Sequence, residues 1–144
     1  MTICPECGAP EGLEINCKTA FDECLVREFE DPSFGEVHHL TVAAYMLQHS
    51  SKLSREGWGH MRQLLKEFLV ENQTPIQVRI RSREVLDSGN RKWKFTSGDG
   101  QPKIDRTTWT KTILDVRLND SETYCADVIA WAGAALKDSQ EMSW

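Results

Sequence analysis

The sequence predicts a mainly α-helical protein: a compact bundle of four to five helices with a short Cys-x-x-Cys zinc knuckle at its N-terminus. Apolar residues recur every three or four positions in several segments, which is the spacing of one helix face. Proline and glycine interrupt residues 1–16, the expected metal knuckle. The length of 144 residues is usual for one domain, so we expect a single helical domain over 1–144.

Three helices are expected within residues 17–71, the three-helix core of the bundle. They are Cys17–Phe29, Glu36–His49 and a third that begins after Ser54, a natural N-cap. Their apolar stripes are Phe21, Leu25 and Phe29, then Leu40, Ala43, Ala44 and Leu47, then Met61, Leu64, Leu65, Phe68 and Leu69. Asp31-Pro32 should end the first helix, because a residue before proline avoids the helical conformation.

The second half of the chain is less regular. Residues 72–106 form a variable basic segment and loop, and residues 107–138 should contain the C-terminal helices. The 76–86 segment alternates like a strand at its start, but its continuation suits a helix, which we favour. A short helix is expected over Thr110–Val116, and the last helix should start near Asn119 or Asp120. The buried stripe of the last helix should be Tyr124, Val128, Trp131 and Ala135.

The charge pattern bears on the partner. The net charge is −5, which argues against nucleic acid as the main partner. Residues 77–94 nevertheless contain six basic and two acidic side chains, a net +4. A solvated face is the simplest interpretation of this stretch, and a docking patch for an acidic protein is the alternative. A homodimer is left open.

The cysteine content bears on the compartment. No apolar run approaches the roughly 18 residues of a membrane span, and the N-terminus lacks the features of a signal peptide. Five cysteines, an odd number that includes a Cys-x-x-Cys pair, favour metal or redox chemistry over a disulfide framework. We therefore expect a reducing compartment, the cytoplasm, and no membrane partner.

The segment Cys4-Pro5-Glu6-Cys7-Gly8 has the form of one arm of a zinc ribbon. Two thiolates at this spacing can reach one ion, and the glycine allows a positive φ that turns backbone amides towards the sulfurs. Two free thiols on a flexible terminus, or a redox pair, are the alternatives. The redox pair is disfavoured because no βαβ pattern surrounds the motif.

Zinc requires four ligands, so two must come from elsewhere. Cys17 is the first candidate, because it begins a helix whose N-terminus favours a thiolate. Antiparallel packing of the first two helices would bring His49 beside it, while His38 would lie roughly 17 Å away. The predicted site is therefore Cys4, Cys7, Cys17 and His49. Thiolate-rich ligation favours zinc, with iron less favoured.

Other ligand sets stay open at this point. His60 is a reserve for the fourth ligand. Cys24 could replace the histidine, but it lies about 10 Å along the helix from Cys17, too far for one ion without strain. Cys17 and His49 could also be a buried thiol and a helix-terminal imidazole without a metal.

Polar side chains form a strip on the second helix, which otherwise looks buried. Its members are His38, Thr41, Tyr45, Gln48 and His49. One interpretation is a satisfied hydrogen-bond network that ties the helices together. The other is a small pocket in which His49 or His60 holds a metal with an open position, and Tyr45 or His38 moves a proton.

Several segments resemble the uncharacterised bacterial family called domain of unknown function 5946. They are Cys4-x-x-Cys7, Cys17-x-x-x-Phe21, Arg27-Glu28-Phe29-x-Asp31-Pro32, the run from Val37 to His49, His60, Thr112–Val116 and Val128–Ala132. Ala43 stands where the family pattern has an acidic residue, and Ser50 where it has proline. The resemblance implies the fold and the candidate site, but brings no activity with it.

Two functions follow from these patterns. The leading hypothesis is a zinc-stabilised, non-catalytic interaction or regulatory module. The alternative is a metal-dependent enzyme that uses a His/Tyr-lined pocket and an open metal position. Four protein ligands would indicate the first function, and three ligands with a solvent molecule in a cleft would indicate the second.

Overall fold

The computed structural model describes residues 2–12, 16–78, 80 and 109–142. The elements are β1 Thr2–Ile3, β2 Pro10–Glu11, α1 Cys17–Glu30, α2 Pro32–Gly35, α3 His38–Leu47, α4 Arg55–Leu69 and α5 Ser121–Ser139. Short 3-10 turns occupy Ser50–Lys52 and Ile113–Asp115. The mainly helical fold class and the N-terminal knuckle are confirmed. Within the described ranges, every helix is too short or too polar to cross a membrane.

Side-chain caps fix where the long helices begin. Asn16 and Thr19 form a capping box at the start of α1, which places Cys17 at the first helical position. Ser54 accepts a 3.1 Å hydrogen bond from the Gly57 amide, as the sequence predicts. Asp120 accepts a 2.8 Å hydrogen bond from the Thr123 amide and starts α5.

Helix α3 lies at the centre of the bundle and packs against both α4 and α5. Its predicted stripe of Leu40, Ala43, Ala44 and Leu47 is buried. The α5 side chains that face it are also buried: Tyr124, Val128, Trp131 and Ala135. Burial of these apolar surfaces is the main force that holds α3 in place. The last turn of α3, which leads to His49, is therefore part of the core.

Helices α1 and α3 run antiparallel, as the sequence predicts. The start of α1 lies at the end of α3, where Cys17 Sγ is 3.4 Å from His49 Nε2. The opposite ends also meet, since Glu28 near the end of α1 accepts a 2.8 Å hydrogen bond from His38 at the start of α3. The two polar contacts define the register of the helix pair.

Asp31-Pro32 ends α1 and also starts α2, a short helix that the sequence analysis did not predict. The Asp31 carboxylate accepts a 2.9 Å hydrogen bond from the Ser33 amide, and Pro32 takes the first helical position. Gly35 closes α2 against α1, because a Cβ at this position would lie 2.8 Å from the Glu28 carbonyl oxygen.

Some expectations need correction. Helix α3 spans His38–Leu47, shorter than Glu36–His49, because the chain enters a 3-10 turn after His49. Only Ile113–Asp115 forms a 3-10 turn where a helix over Thr110–Val116 is expected. Phe29 is 93% exposed. In the last turn of α1 the buried residue is Glu28 and not the expected Phe29. Three hydrogen-bond donors satisfy the Glu28 carboxylate, which allows its burial.

The basic segment is largely outside the described residues. Residues 75–78 and 80 are helical, in line with the helix favoured for 76–86. Thr74 starts this helix, since its hydroxyl accepts a hydrogen bond from the Gln77 amide. Residues 79 and 81–108, and with them most of the basic 77–94 stretch, lie outside the described ranges.

Candidate metal centre

The N-terminal knuckle is a tight turn between two short strands. Strands β1 and β2 pair in antiparallel fashion, with Ile3 opposite Pro10. The Gly8 amide donates to the Cys4 carbonyl at 3.0 Å, and the Cys4 amide donates to the Ala9 carbonyl at 2.8 Å. Gly8 has φ 81°, the left-handed conformation that glycine adopts without strain. This turn holds Cys4 and Cys7 on the same side.

Backbone amides point towards the sulfurs of the knuckle. The Ala9 amide donates a 3.4 Å hydrogen bond to Cys7 Sγ. Such a bond stabilises a thiolate, and it requires the turn that Gly8 makes. The expected geometry of the Cys-x-x-Cys-Gly segment is therefore present.

Glu6, between the two cysteines, docks the knuckle onto the turn that follows α3. Its carboxylate accepts hydrogen bonds of 2.8 Å from the Ser51 amide and 2.7 Å from the Ser51 hydroxyl. Ser51 follows His49 by two residues, so this contact fixes the knuckle beside that imidazole. Hydrogen bonds to a charged carboxylate are among the stronger polar contacts in proteins.

Four potential ligands meet at this junction. One ligand atom each from Cys4, Cys7, Cys17 and His49 lies within 4.8 Å of the other three. His49 Nε2 is 3.8 Å from Cys4 Sγ and 3.4 Å from Cys17 Sγ. All four residues are buried, with at most 4% exposure. The structure thus brings together the four residues that the sequence predicts.

The imidazole of His49 is held in a single orientation. Its Nδ1 is 2.6 Å from the Tyr45 carbonyl oxygen, and a carbonyl can only accept, so Nδ1 carries the proton. Nε2 faces the sulfurs, and it is the nitrogen that would bind an ion once the ring is neutral. Metal-binding histidines commonly have this arrangement, in which the outer hydrogen bond fixes the tautomer.

Aromatic rings back the imidazole. Tyr45 stacks on His49 with ring centroids 4.0 Å apart, and Phe21 stacks on the other face of Tyr45 at 3.9 Å. Burial, and then the nearby Cys17 thiol, raise the pKa of Tyr45, which keeps its phenol protonated. The stacked Tyr45 ring therefore fixes the plane of the imidazole.

Close packing of the ligand atoms shifts the pKa values of Cys4, Cys7 and His49. Hydrogen bonds with Cys17 and then Cys7 lower the pKa of Cys4, whereas Cys17, Cys4 and burial raise the pKa of Cys7. Burial lowers the pKa of His49, but its hydrogen bonds with Cys17 and Cys4 outweigh burial and raise it to about 9. These sulfur and nitrogen atoms lie close enough to bind one cation, which would displace the protons that they carry.

The alternative ligands lie outside the cluster. Cys24 is buried, and burial raises its pKa to about 11, although a hydrogen bond with Tyr124 lowers it. His38 points to Glu28 at the opposite end of α1. His60 is on α4 and is not a member of the group. The described residues contain one group of Cys, His, Asp or Glu side chains that could hold an ion together. Its members are Cys4, Cys7, Cys17 and His49.

The rest of the polar strip forms hydrogen bonds between elements. Thr41 donates a 2.6 Å hydrogen bond to the Glu28 carboxylate. Gln48 accepts from Trp131 Nε1 at 3.1 Å and donates to the Lys111 carbonyl at 2.7 Å. These contacts agree with the network interpretation of the strip. The sequence did not reveal the roles of Glu6 and Glu28. A single acidic residue in a helix or loop has no pattern that distinguishes it from a solvent-exposed one.

The fold and the site define a small helical protein with a buried Cys3His cluster that could hold a metal ion. The chain belongs to the family of unknown function DUF5946, whose family model matches residues 2–140. This match confirms the family resemblance, and the bacterial distribution stays a prediction. No curated protein and no solved structure matches the chain.

Proposed function

We propose that this protein is a zinc-stabilised helical module without a catalytic role, which acts in the cytoplasm as an interaction or regulatory protein. The observation that carries the proposal is the burial of four mutually close ligand atoms from Cys4, Cys7, Cys17 and His49. The ion would join the N-terminal knuckle to α1 and to the end of α3. Its binding free energy would then contribute to folding.

The distances fit a tetrahedral zinc site. Tetrahedral zinc has bonds of about 2.3 Å to sulfur and about 2.0 Å to nitrogen, which separate sulfur from nitrogen by about 3.5 Å. The 3.4 Å and 3.8 Å separations from His49 Nε2 to the two sulfurs are close to this value. Three thiolates and one imidazole are a frequent ligand set of structural zinc.

The closed ligand set favours a structural role over the metal-dependent enzyme. Catalytic zinc keeps one position for water or substrate, whereas here four protein atoms can complete a tetrahedron. Each ligand is buried by at least 96% of its surface, since none exceeds 4% exposure. All five cysteines are free thiols, which supports a reducing compartment.

Metal analysis and cobalt substitution test the proposal. Protein purified without chelator should contain about one equivalent of zinc. Cobalt-substituted protein should show thiolate charge-transfer absorption and the visible bands of a tetrahedral site. Cys17→Ala and His49→Ala should lose the metal, while the matched control Cys24→Ala should keep it.

Two results would overturn the proposal. Less than about a tenth of an equivalent of any metal would remove the site. A cobalt spectrum that shifts when azide or cyanide is added would reveal an open coordination position, and would favour the enzyme. An unchanged spectrum would support the closed structural site.

A further inference from the structure

A second polar cluster lies at the end of α1 remote from the metal centre. Glu28 is eleven residues beyond Cys17, or roughly 16 Å along the helix. Its side chain is only 2% exposed. The carboxylate accepts hydrogen bonds from His38 Nδ1 at 2.8 Å, from the Thr41 hydroxyl at 2.6 Å and from the Tyr124 hydroxyl. These donors come from α3 and α5, so the carboxylate joins α1 to two other helices.

This carboxylate orients a histidine that is open to solvent. The His38 side chain is 58% exposed, although its Nδ1 contacts the buried Glu28. Because the Glu28 carboxylate accepts from Nδ1, the neutral imidazole presents its lone pair at Nε2. The tautomer is assigned from this network. The same order of groups, carboxylate to Nδ1 with Nε2 towards a ligand, occurs where histidine accepts a proton from a hydroxyl.

The oriented imidazole lines an apolar groove of about 720 Å³. Leu25, Val26 and Phe29 of α1 and Pro32 of α2 supply most of its apolar lining. A groove of this volume is typical of sites for small organic molecules. Phe29 is 93% exposed and Val26 is 53% exposed. A ligand in the groove would therefore bury apolar side chains that are otherwise in contact with water.

The charges around the groove select the polar group of the ligand. Glu30 lines the groove and is exposed, so it would repel a carboxylate or phosphate, whereas the Glu28 carboxylate is buried among its three donors. A neutral molecule with an O–H donor avoids this repulsion and pairs with the His38 Nε2 lone pair. We propose that the groove binds a small, mainly apolar alcohol or phenol, whose hydroxyl donates a hydrogen bond to His38 Nε2.

This site is independent of the metal proposal. It needs only the contact between α1, α2 and the start of α3, and none of its residues belongs to the Cys3His cluster. His38 has the role of a binding group held by Glu28. Loss of metal binding and loss of groove binding are therefore separate results.

Three matched probes test the inference on the metal-loaded protein: 2-naphthol, 2-methoxynaphthalene and 2-naphthoate. They share a ring system but present a hydroxyl, a methyl ether and a carboxylate. Amide chemical-shift titration by NMR should place 2-naphthol at residues 25–38. Its affinity should exceed that of the ether about five- to tenfold, the value of one hydrogen bond, and naphthoate should bind most weakly.

Variants assign the hydrogen bond to one imidazole. His38→Ala should lower the affinity for 2-naphthol to that for the ether and leave the affinity for the ether within about twofold. His39→Ala is the matched control, because this neighbouring imidazole packs on Phe68 of α4 instead. It should keep the preference for the hydroxyl. Zinc content and thermal unfolding establish that each variant is folded.

Several outcomes would overturn the inference. They are equal affinities for naphthol and its ether, tighter binding of naphthoate, shifts that fall outside the groove, and an unchanged preference in folded His38→Ala. Concentration-dependent shifts of the groove in the absence of probe would indicate self-association there, and would also contradict a small-molecule site. His38→Gln offers a second variant if His38→Ala does not fold.

Discussion

Gln48 accepts a hydrogen bond from Trp131 Nε1 at 3.1 Å, and this bond ties the end of α3 to the middle of α5. The same side chain donates to the Lys111 carbonyl at 2.7 Å. Gln48 is 2% exposed and directly precedes His49. The position of the imidazole in the Cys3His cluster thus depends on a buried amide that bonds to two other parts of the chain.

Removal of this amide should destabilise the protein. Gln48→Leu keeps a similar volume but leaves the Trp131 N–H and the Lys111 carbonyl without their partner. We expect a loss of about 1–3 kcal/mol in the free energy of unfolding, measured by urea denaturation of the zinc-loaded protein. The control Gln140→Leu, at an exposed site at the end of α5, should change it by less than about 0.5 kcal/mol. Equal effects of the two changes would contradict the role given to Gln48.

Glu6 should control metal affinity without binding the metal. Glu6→Gln weakens the acceptor of the two Ser51 hydrogen bonds, so the knuckle is held less firmly beside His49. We expect zinc affinity to fall about tenfold in competition with a chromophoric chelator, in the range found for outer-shell groups. Glu11→Gln in β2 is the matched control and should have little effect. An unchanged affinity in Glu6→Gln would show that the ion alone positions the knuckle.

Thiol labelling should separate the cluster from Cys24. In zinc-loaded protein at neutral pH, iodoacetamide should modify all four buried cysteines slowly. Under native conditions with chelator, Cys4, Cys7 and Cys17 should become reactive first. Cys24 should stay protected, because it is in the helical core with a pKa of about 11. Mass spectrometry of the labelled peptides gives the order, and equal rates for Cys24 and Cys4 would contradict it.

Gly35 should not tolerate a side chain. In Gly35→Ala the new methyl group would lie 2.8 Å from the Glu28 carbonyl, so α2 must move away from α1. We expect a destabilisation of about 1–3 kcal/mol, the usual cost of overpacking. Gly59→Ala is the matched control, since its Cβ would meet no atom within 4 Å. There, alanine should stabilise α4 by about 0.5–1 kcal/mol. Thermal unfolding measures both, and a stable Gly35→Ala would contradict the close packing.

His39 should make stability depend on pH. Burial, and then the charge of His38, lower its pKa below the ordinary 6.5. The unfolded chain therefore binds more protons at acidic pH, so this contribution is present above about pH 6.5 and is lost as pH falls through the folded pKa. His39→Gln should reduce the loss of stability between pH 7.5 and 6, measured by denaturant unfolding at constant zinc. A parallel pH dependence in both proteins would contradict this role.

Sequence periodicity predicted the helices that bury a regular stripe. The stripes of α3 and α5 could be read directly because apolar side chains at helical spacing have few other uses. The cluster could be predicted because the Cys-x-x-Cys-Gly spacing restricts the turn, and antiparallel packing then places Cys17 near His49. Both steps use local geometry together with one simple rule of helix packing.

The features that the sequence did not reveal depend on contacts between distant residues. Glu28 looks like a surface residue, and its burial depends on donors from His38, Thr41 and Tyr124. Phe29 was expected in the apolar stripe, but the burial of Glu28 rotates that stripe away from it. Proline at position 32 was interpreted only as a helix terminator, although Asp31 also makes it a helix start.

The separation of Cys4 and His49 along the chain, 45 residues, gives the proposed ion a role in the unfolded ensemble as well as in the folded protein. An ion shared by these two residues would act as a reversible cross-link that encloses β2, α1, α2 and α3 in one ring. By analogy with a disulfide that closes a ring of this size, the loss of chain entropy corresponds to roughly 4 kcal/mol. Unlike a disulfide, such a cross-link is not broken by a reducing environment, and it is removed when another molecule competes for the metal.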